Sequence, residues 1–282
     1  MTNDEGRFMP DDGIARHCGE LDRCNQRGGR MLSVFDLLEA ETLDLDLAAF
    51  MMSRITQGAS FLVGARPGGA GKTTVMCALL NLIPHPCEIV AATASAVRDA
   101  ALKEIHGRRC FVCHEIGSGP YFAYLWDGDL RAYCALAEKG HLLAANLHAD
   151  DLDEARAQIC GENGVPASHF NAFHLAVFLR VRGGYSGARR WVEKVYMSDG
   201  MSSHALVFDK QGGLARFPRA SDADCESFER CRAFLAQRLK SGVRTIEDTR
   251  REVLGFLSAW SHVDNHRSAG HDIRCDTRGK CP

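Results

Sequence analysis

The segment Gly64-Ala-Arg-Pro-Gly-Gly-Ala-Gly-Lys-Thr-Thr74 carries the residue types that bind polyphosphate. Glycines at 68, 69 and 71 free the backbone to turn its N–H groups toward one point, and a helix starting at Lys72 adds the partial positive charge of its N-terminus there. A lysine directly after the last glycine reaches the β- and γ-phosphates of a bound nucleotide, and the hydroxyl after it joins the shell of a Mg²⁺ ion. Gly68, Gly69, Ala70, Gly71, Lys72, Thr73 and Thr74 are therefore the candidate ATP-binding residues, with Thr73 also on the metal. The pattern's first glycine is Arg66 here, which reshapes the entrance of the loop and leaves the inner glycines in place.

Hydrolysis also needs a carboxylate at the end of a neighbouring strand, to orient Mg²⁺ or polarise the attacking water. Two segments offer one: Cys110-Phe-Val-Cys-His-Glu115, an apolar run ending in an acid, and Tyr121-Phe-Ala-Tyr-Leu-Trp-Asp127-Gly-Asp129. Further on, His141 and His148 bracket the apolar run Leu-Leu-Ala-Ala-Asn-Leu. A strand histidine is ordinarily structural, but two of them bracketing a strand in a phosphate-loop fold can register the γ-phosphate.

These side chains need strands that end where the loop begins. Residues 60–64 are apolar and run into the glycine turn; the apolar residues 72–82 after it, stopped by Pro84 and Pro86, complete a strand, loop and helix. Further strands are predicted near 88–92, 110–116, 141–148 and 175–182, with helices near 95–105, 129–139 and 151–160 between them, an alternation that gives a parallel sheet covered by helices. Upstream, Val34, Leu37 and Leu38, then Leu45, Leu47, Phe50, Met51 and Ile55, recur at helical spacing and predict two amphipathic helices. After Arg182, Gly183-Gly184 and residues 189–197 and 205–208 predict antiparallel hairpins closing one sheet edge. Ser221 with Asp224, and Thr245 with Asp248, open two helices with an apolar stripe, a helical hairpin over residues 216–262 whose default is to pack on its own domain. The expected organisation is a flexible lead-in over 1–30, an α/β phosphate-loop NTPase domain over 31–215, the hairpin, and a polar tail over 263–282 containing cysteine and histidine.

Composition sets limits on partners. With 34 Lys+Arg against 36 Asp+Glu the chain has no basic excess that would point to nucleic acid. No apolar run reaches the roughly 18 residues of a membrane-spanning helix, and the acidic, polar start lacks the features of a secretory signal, so a cytoplasmic setting is expected. In that setting the 12 cysteines read as thiols, mostly buried, before they read as disulfides or metal ligands. Cys110-Phe-Val-Cys113-His114 has the spacing of covalent haem attachment but lies in a predicted buried strand. His262, His266, His271, Cys275 and Cys281 in the tail could supply N/S donors to Zn²⁺, against the reading of a disordered tail with incidental donors.

Taken together, GGAGKTT, the stretch VRDAALKEIHGRRCFVCHEI, the AEKGHLLAANLHADD segment and FHLAVFLRVRGGYSGARRWVEKVYMSDG make residues 33–208 resemble the type II/IV secretion ATPases, or traffic ATPases, and within them the branch serving type IV and tight-adherence pili. The resemblance implies a RecA-like mostly parallel sheet, with Lys72 and Thr73 on phosphate and Mg²⁺, Glu115 as the Walker B glutamate and metal partner, and His141 and His148 as the family's His box. It also implies a homohexamer working on membrane platform proteins of a secretion or pilus apparatus, cytoplasmic and peripheral at the inner membrane. The chain departs from the pattern at three places: residues 89–95 hold no carboxylate where the acidic box falls, His114 replaces the glycine before the glutamate, and the residues before Ser33 are too few for the family's large N-terminal domain. Two functions follow as expectations, an ATP-driven motor subunit and a nucleotide-binding switch with little turnover; a small-molecule kinase is weaker, because no acceptor site or lid is readable.

Overall fold

The computed structural model describes residues 10–25, 29–66, 68–103, 106–183, 187–215 and 221–269. Helices α1 (Pro10–Cys24), α2 (Val34–Glu39) and α3 (Leu45–Thr56) precede β1 (Phe61–Gly64), which runs through the glycine turn into α4 (Lys72–Leu80). Alternation continues with β2 (Glu88–Ala91), α5 (Ala94–Leu102), β3 (Arg109–Ile116), the short β4 (Tyr124–Leu125) and α6 (Asp127–Ala135). Then come β5 (Leu142–Leu147), α7 (Leu152–Arg156) continuing as a π-helical stretch over Ala157–Glu162, α8 (Ala167–Asn171) and β6 (Leu175–Arg182). The strands β7 (Arg189–Met197), β8 (Ala205–Asp209) and β9 (Gly213–Leu214) lead to α9 (Asp222–Lys240) and α10 (Ile246–Ala269).

Local chemistry starts these helices. Ser33 and Asp36 form a capping box on α2, Ser221 and Asp224 form another on α9, and the Asp44 carboxylate accepts from Leu47 N–H at the start of α3. Helix α4 differs: its N-cap is Gly71, at φ 95°, and no side chain caps it.

The sheet runs β2-β3-β5-β1-β6-β7-β8-β9, with β4 paired to the end of β3. From β2 to β6 the pairs are parallel; β6 to β9 pair antiparallel. The architecture is thus α/β, a mostly parallel sheet with antiparallel hairpins at one edge, as the alternating pattern predicts. Because successive strand residues face opposite ways, each parallel strand feeds two cores. Phe61, Val63, Val112, Ala144 and Val177 pack with α1 to α4, α9 and α10, whereas Leu62, Phe111, Leu143, Ala145 and Phe178 pack with α5 to α8. The same parity sends Cys110 into one core and Cys113 into the other, so their thiols cannot share one haem.

The structure revises the reading of the chain ends. Residues 10–24, read as part of a flexible lead-in, form α1, with Ile14, Cys18, Leu21 and Cys24 buried in the first core. Their spacing of three and four is helical, but two of the four are cysteines in a polar stretch, so the stripe is inconspicuous. The C-terminal helices pack on their own domain. Arg54 and Asp224 pair at 2.6 Å between α3 and α9, and buried Arg250 on α10 donates to the carbonyls of Asn81 and Ile83 beyond α4. Helix α10 continues past residue 262 into the stretch read as tail, and His271, Cys275 and Cys281 lie outside the described residues. No helix among the described residues is long and apolar enough to cross a membrane.

Candidate active site

Strand order brings the site together. Strand β5 lies between β1 and β3, so the three carboxyl ends, at Gly64, Leu147 and Ile116, stand side by side. The crevice beyond the carboxyl ends of parallel strands is where α/β sheets bind ligands. There β1 hands over to the loop in a confined space: a Cβ on Gly64 would stand 2.7 Å from the Ala149 carbonyl and from the Phe178 ring. Beyond it Gly69 and Gly71 adopt φ 81° and 95°, left-handed values that suit glycine, and the chain enters α4. The uncapped first turn of α4 keeps its N–H groups toward the loop, with Thr73 and Thr74 half-buried in that turn.

Lys72 is 8% exposed and is the hub of the site. Its Nζ donates to the Ala65 carbonyl at 3.2 Å, lies 3.3 Å from Glu115 Oε2, and lies 3.2 and 3.4 Å from the two ring nitrogens of His148. His148 Nε2 is 3.7 Å from Glu115 Oε2, and its Nδ1 is 3.1 Å from the Arg66 carbonyl. Burial pushes the Glu115 carboxyl above the ordinary carboxylate range, while Lys72 and His148 pull it back. The other carboxylate oxygen, Oε1, is buried and has no hydrogen-bond partner among the described residues.

A β-bulge aims Glu115. Cys113 pairs with Ala145 and Ile116 with Leu147, so His114 and Glu115 stand opposite the single residue Asn146. Asn146 lies fully buried in that gap and donates from Nδ2 to the His114 carbonyl at 3.0 Å. His114, where a glycine was expected, turns away to Cys24 of α1, with its Nε2 3.3 Å from the thiol sulfur.

The remaining expected residues fall elsewhere. His141 stands at the amino end of β5, on the order of 20 Å along the strand from His148. It is buried, its Nδ1 accepts from Arg109 N–H at 3.3 Å, and its ring meets Phe111 edge-on. Of the two histidines, only His148 is therefore at the loop, because residues seven apart in a strand sit at opposite ends of the sheet. Asp127 is exposed at the start of α6, and Asp129 pairs with Arg98 at 3.6 Å, so neither joins the cluster. After β2, the segment without a carboxylate provides Thr93, whose side chain caps α5.

Arg66 is legible as a departure at the loop entrance, but the partners that hold the loop are not. Arg66 donates its backbone N–H to Asp150 Oδ1 at 2.9 Å and pairs through its guanidinium with Glu154 at 2.7 Å; Asp150 also lies 3.6 Å from Arg180. Arg190 of β7 donates from Nε to the Gly69 carbonyl at 2.8 Å. The contacts of Arg66 with Asp150 and Glu154, and of Arg190 with Gly69, join segments more than 80 residues apart. Among those partners, Asp150 falls within the AEKGHLLAANLHADD segment.

No protein-family model matches the chain, and no curated protein matches it. Among the solved structures similar to it are two ATPases. One is the VirB11 ATPase from the type IV secretion system of Brucella suis in complex with sulphate, with 18% identity over 57% of this chain and a TM-score of 0.40. The other is the ATPase DotB of Legionella pneumophila, with 12% identity over 77% of this chain and a TM-score of 0.35. The chain spans 53% and 58% of the lengths of those two proteins.

Proposed function

We propose that this chain binds Mg–ATP on the loop of residues 68–74 and hydrolyses it with Glu115 and His148. The observation that carries the reading is the convergence of Lys72, Glu115 and His148 at the end of three adjacent strands, beside a helix N-terminus that no side chain caps. The site fits a phosphate-bound divalent cation. Glu115 Oε1 is a buried acceptor without a partner among the described residues, and Thr73 offers a hydroxyl in the first turn of α4. Mg²⁺ on these two residues would neutralise charge across the β- and γ-phosphate oxygens.

In this reading the loop N–H groups and Lys72 hold the phosphates. Lys72 trades part of its contact with Glu115 for phosphate oxygen, a charge-assisted bond of the stronger kind. Glu115 Oε2, released from that neighbour, is then placed to orient or polarise the attacking water. His148 stands between the two and can bond to either, with one ring nitrogen donating and the other accepting.

The wider role we propose is that of an ATPase motor subunit in a type II/IV secretion or pilus-assembly apparatus, assembled as a homohexamer against membrane platform proteins. It rests on the resemblance carried by residues 33–208. A second reading, a nucleotide-binding switch with little turnover, is favoured by one observation: Thr93 and Ser95 stand after β2 where an acidic box would supply carboxylates. Steady-state ATPase activity across protein concentration, with mass in solution measured alongside, separates the two. Turnover rising per subunit as a larger assembly forms, and lost in Glu115→Gln while binding persists, supports the motor. Stoichiometric binding with negligible turnover at every concentration supports the switch, and a lasting monomer with or without an ATP analogue rejects the hexamer.

A further inference from the structure

The β6–β7 hairpin meets the phosphate loop directly on its exit side and through Asp150 on its entry side. On the entry side, Arg66 N–H donates to Asp150 Oδ1, and Asp150 Oδ2 lies 3.6 Å from Arg180 on β6. On the exit side, Arg190 on β7 donates from Nε to Gly69 O at 2.8 Å. Arg180 pairs across the ladder with Trp191, so the two arginines are neighbours on the same stretch of hairpin. Arg190 Cδ would also stand 3.3 Å from a Cβ on Gly71, so its stem lies over the last glycine of the loop.

The bond to Gly69 has a consequence for the next peptide. In a trans peptide the carbonyl of one residue and the N–H of the next point in opposite directions. Holding Gly69 O against Arg190 therefore sends Ala70 N–H to the other side of the loop. Gly69, at φ 81°, is a residue at which backbone conformations interconvert at little steric cost, so this peptide needs an external anchor to keep one orientation. The structure supplies that anchor from outside the loop, in the Arg190 bond to Gly69 O.

We propose that Arg190 is a positioning residue of the phosphate loop: its bond to Gly69 O locks the 69–70 peptide with Ala70 N–H on the anion side, and the β6–β7 hairpin thereby sets affinity for a nucleoside polyphosphate. The affinity half of this proposal rests on the nucleotide reading above, while the locking half does not. Arg190 acts through the backbone and does not touch the reacting atoms.

The test compares wild type, Arg190→Ala, Arg190→Lys and Lys72→Ala, full chain throughout. Hydrogen exchange is followed by mass spectrometry in the peptide spanning the loop, and ADP and ATP affinities with Mg²⁺ are measured by calorimetry. Arg190→Ala should exchange the loop amides about tenfold faster without nucleotide and bind ADP and ATP about tenfold more weakly, the effect of losing one charged hydrogen bond. Its melting temperature should stay near wild type, because the side chain is exposed. Arg190→Lys should recover part of both losses. Unchanged loop exchange in Arg190→Ala overturns the lock whatever the nucleotide result. Faster exchange with unchanged affinity overturns the control of affinity, and equal losses with a lowered melting temperature and no recovery in Arg190→Lys mean a merely structural residue. If wild type binds no nucleotide while Arg190→Ala still loosens the loop, the nucleotide reading fails and the lock stands.

Discussion

Replacing Lys72 by methionine removes a charge 3.3 Å from Glu115 Oε2 where both side chains are 9% exposed. Unit charges at that separation attract by about 5 kcal/mol at an effective dielectric constant of about 20. Desolvation of both groups offsets part of this, and breaking a buried pair typically costs about 3–5 kcal/mol because the remaining charge is left uncompensated. We expect Lys72→Met to be about 3 kcal/mol less stable than wild type at about pH 8, the low end because His148 remains beside the carboxylate. The loss should depend on pH with a defined sign. Burial already holds the Glu115 carboxyl above its ordinary range, with Lys72 the leading influence against it, so the variant raises it further. Between the unfolded value and that raised folded value the folded protein binds more protons than the unfolded chain, and stability falls as pH rises. The deficit should therefore shrink at about pH 5 and reach its full size above the folded value. Adding Glu115→Gln removes the stranded charge, so the double variant should recover at least half of the loss, and the deficit should no longer vary with pH. Urea unfolding of the four proteins at both pH values measures the cycle. An equal deficit at both pH values, or strictly additive single losses, would refute the coupling on which the site is built.

Other consequences are equally open to measurement. His148→Ala should leave ADP affinity near wild type, narrow the preference for ATP over ADP and slow turnover by about tenfold or more; equal losses for both nucleotides with a lowered melting temperature would make the residue structural. Gly64→Ala should destabilise the protein by about 2 kcal/mol and weaken nucleotide binding with it, since the new methyl would stand 2.7 Å from the Ala149 carbonyl and the Phe178 ring. A wild-type melting temperature in Gly64→Ala would show that the strand end has room the packing does not allow for.

What could be read from the residues alone was local. An apolar strand, a glycine turn and a helix follow one another within residues 60–82, so β1, the loop and α4 are legible from their order, and the same holds for the helix-strand alternation after them. Sheet order is not written in any local pattern. Nothing near Leu142 says that β5 inserts between β1 and β3, yet that insertion decides that His148 meets Lys72 while His141 does not. The aim of Glu115 depends on a bulge opposite Asn146, which appears only when two strands are paired. Arg190 is silent for a related reason: its partner is a backbone carbonyl 121 residues away, and carbonyls carry no sequence signature. Helix α1 escaped because half of its buried stripe is cysteine, which behaves as a small apolar residue once covered.

The central claim is that the loop of residues 68–74, with Lys72 at its end, is a nucleotide site. Calorimetric titration of the purified full chain with ATP and ADP, with and without Mg²⁺, in wild type and in Lys72→Ala addresses it most directly. One nucleotide bound per chain, tightened by Mg²⁺ for ATP and weakened at least about tenfold in Lys72→Ala through loss of a charge-assisted phosphate contact, is the predicted result. Absence of binding by wild type at millimolar nucleotide, or the same affinity in Lys72→Ala, would contradict it.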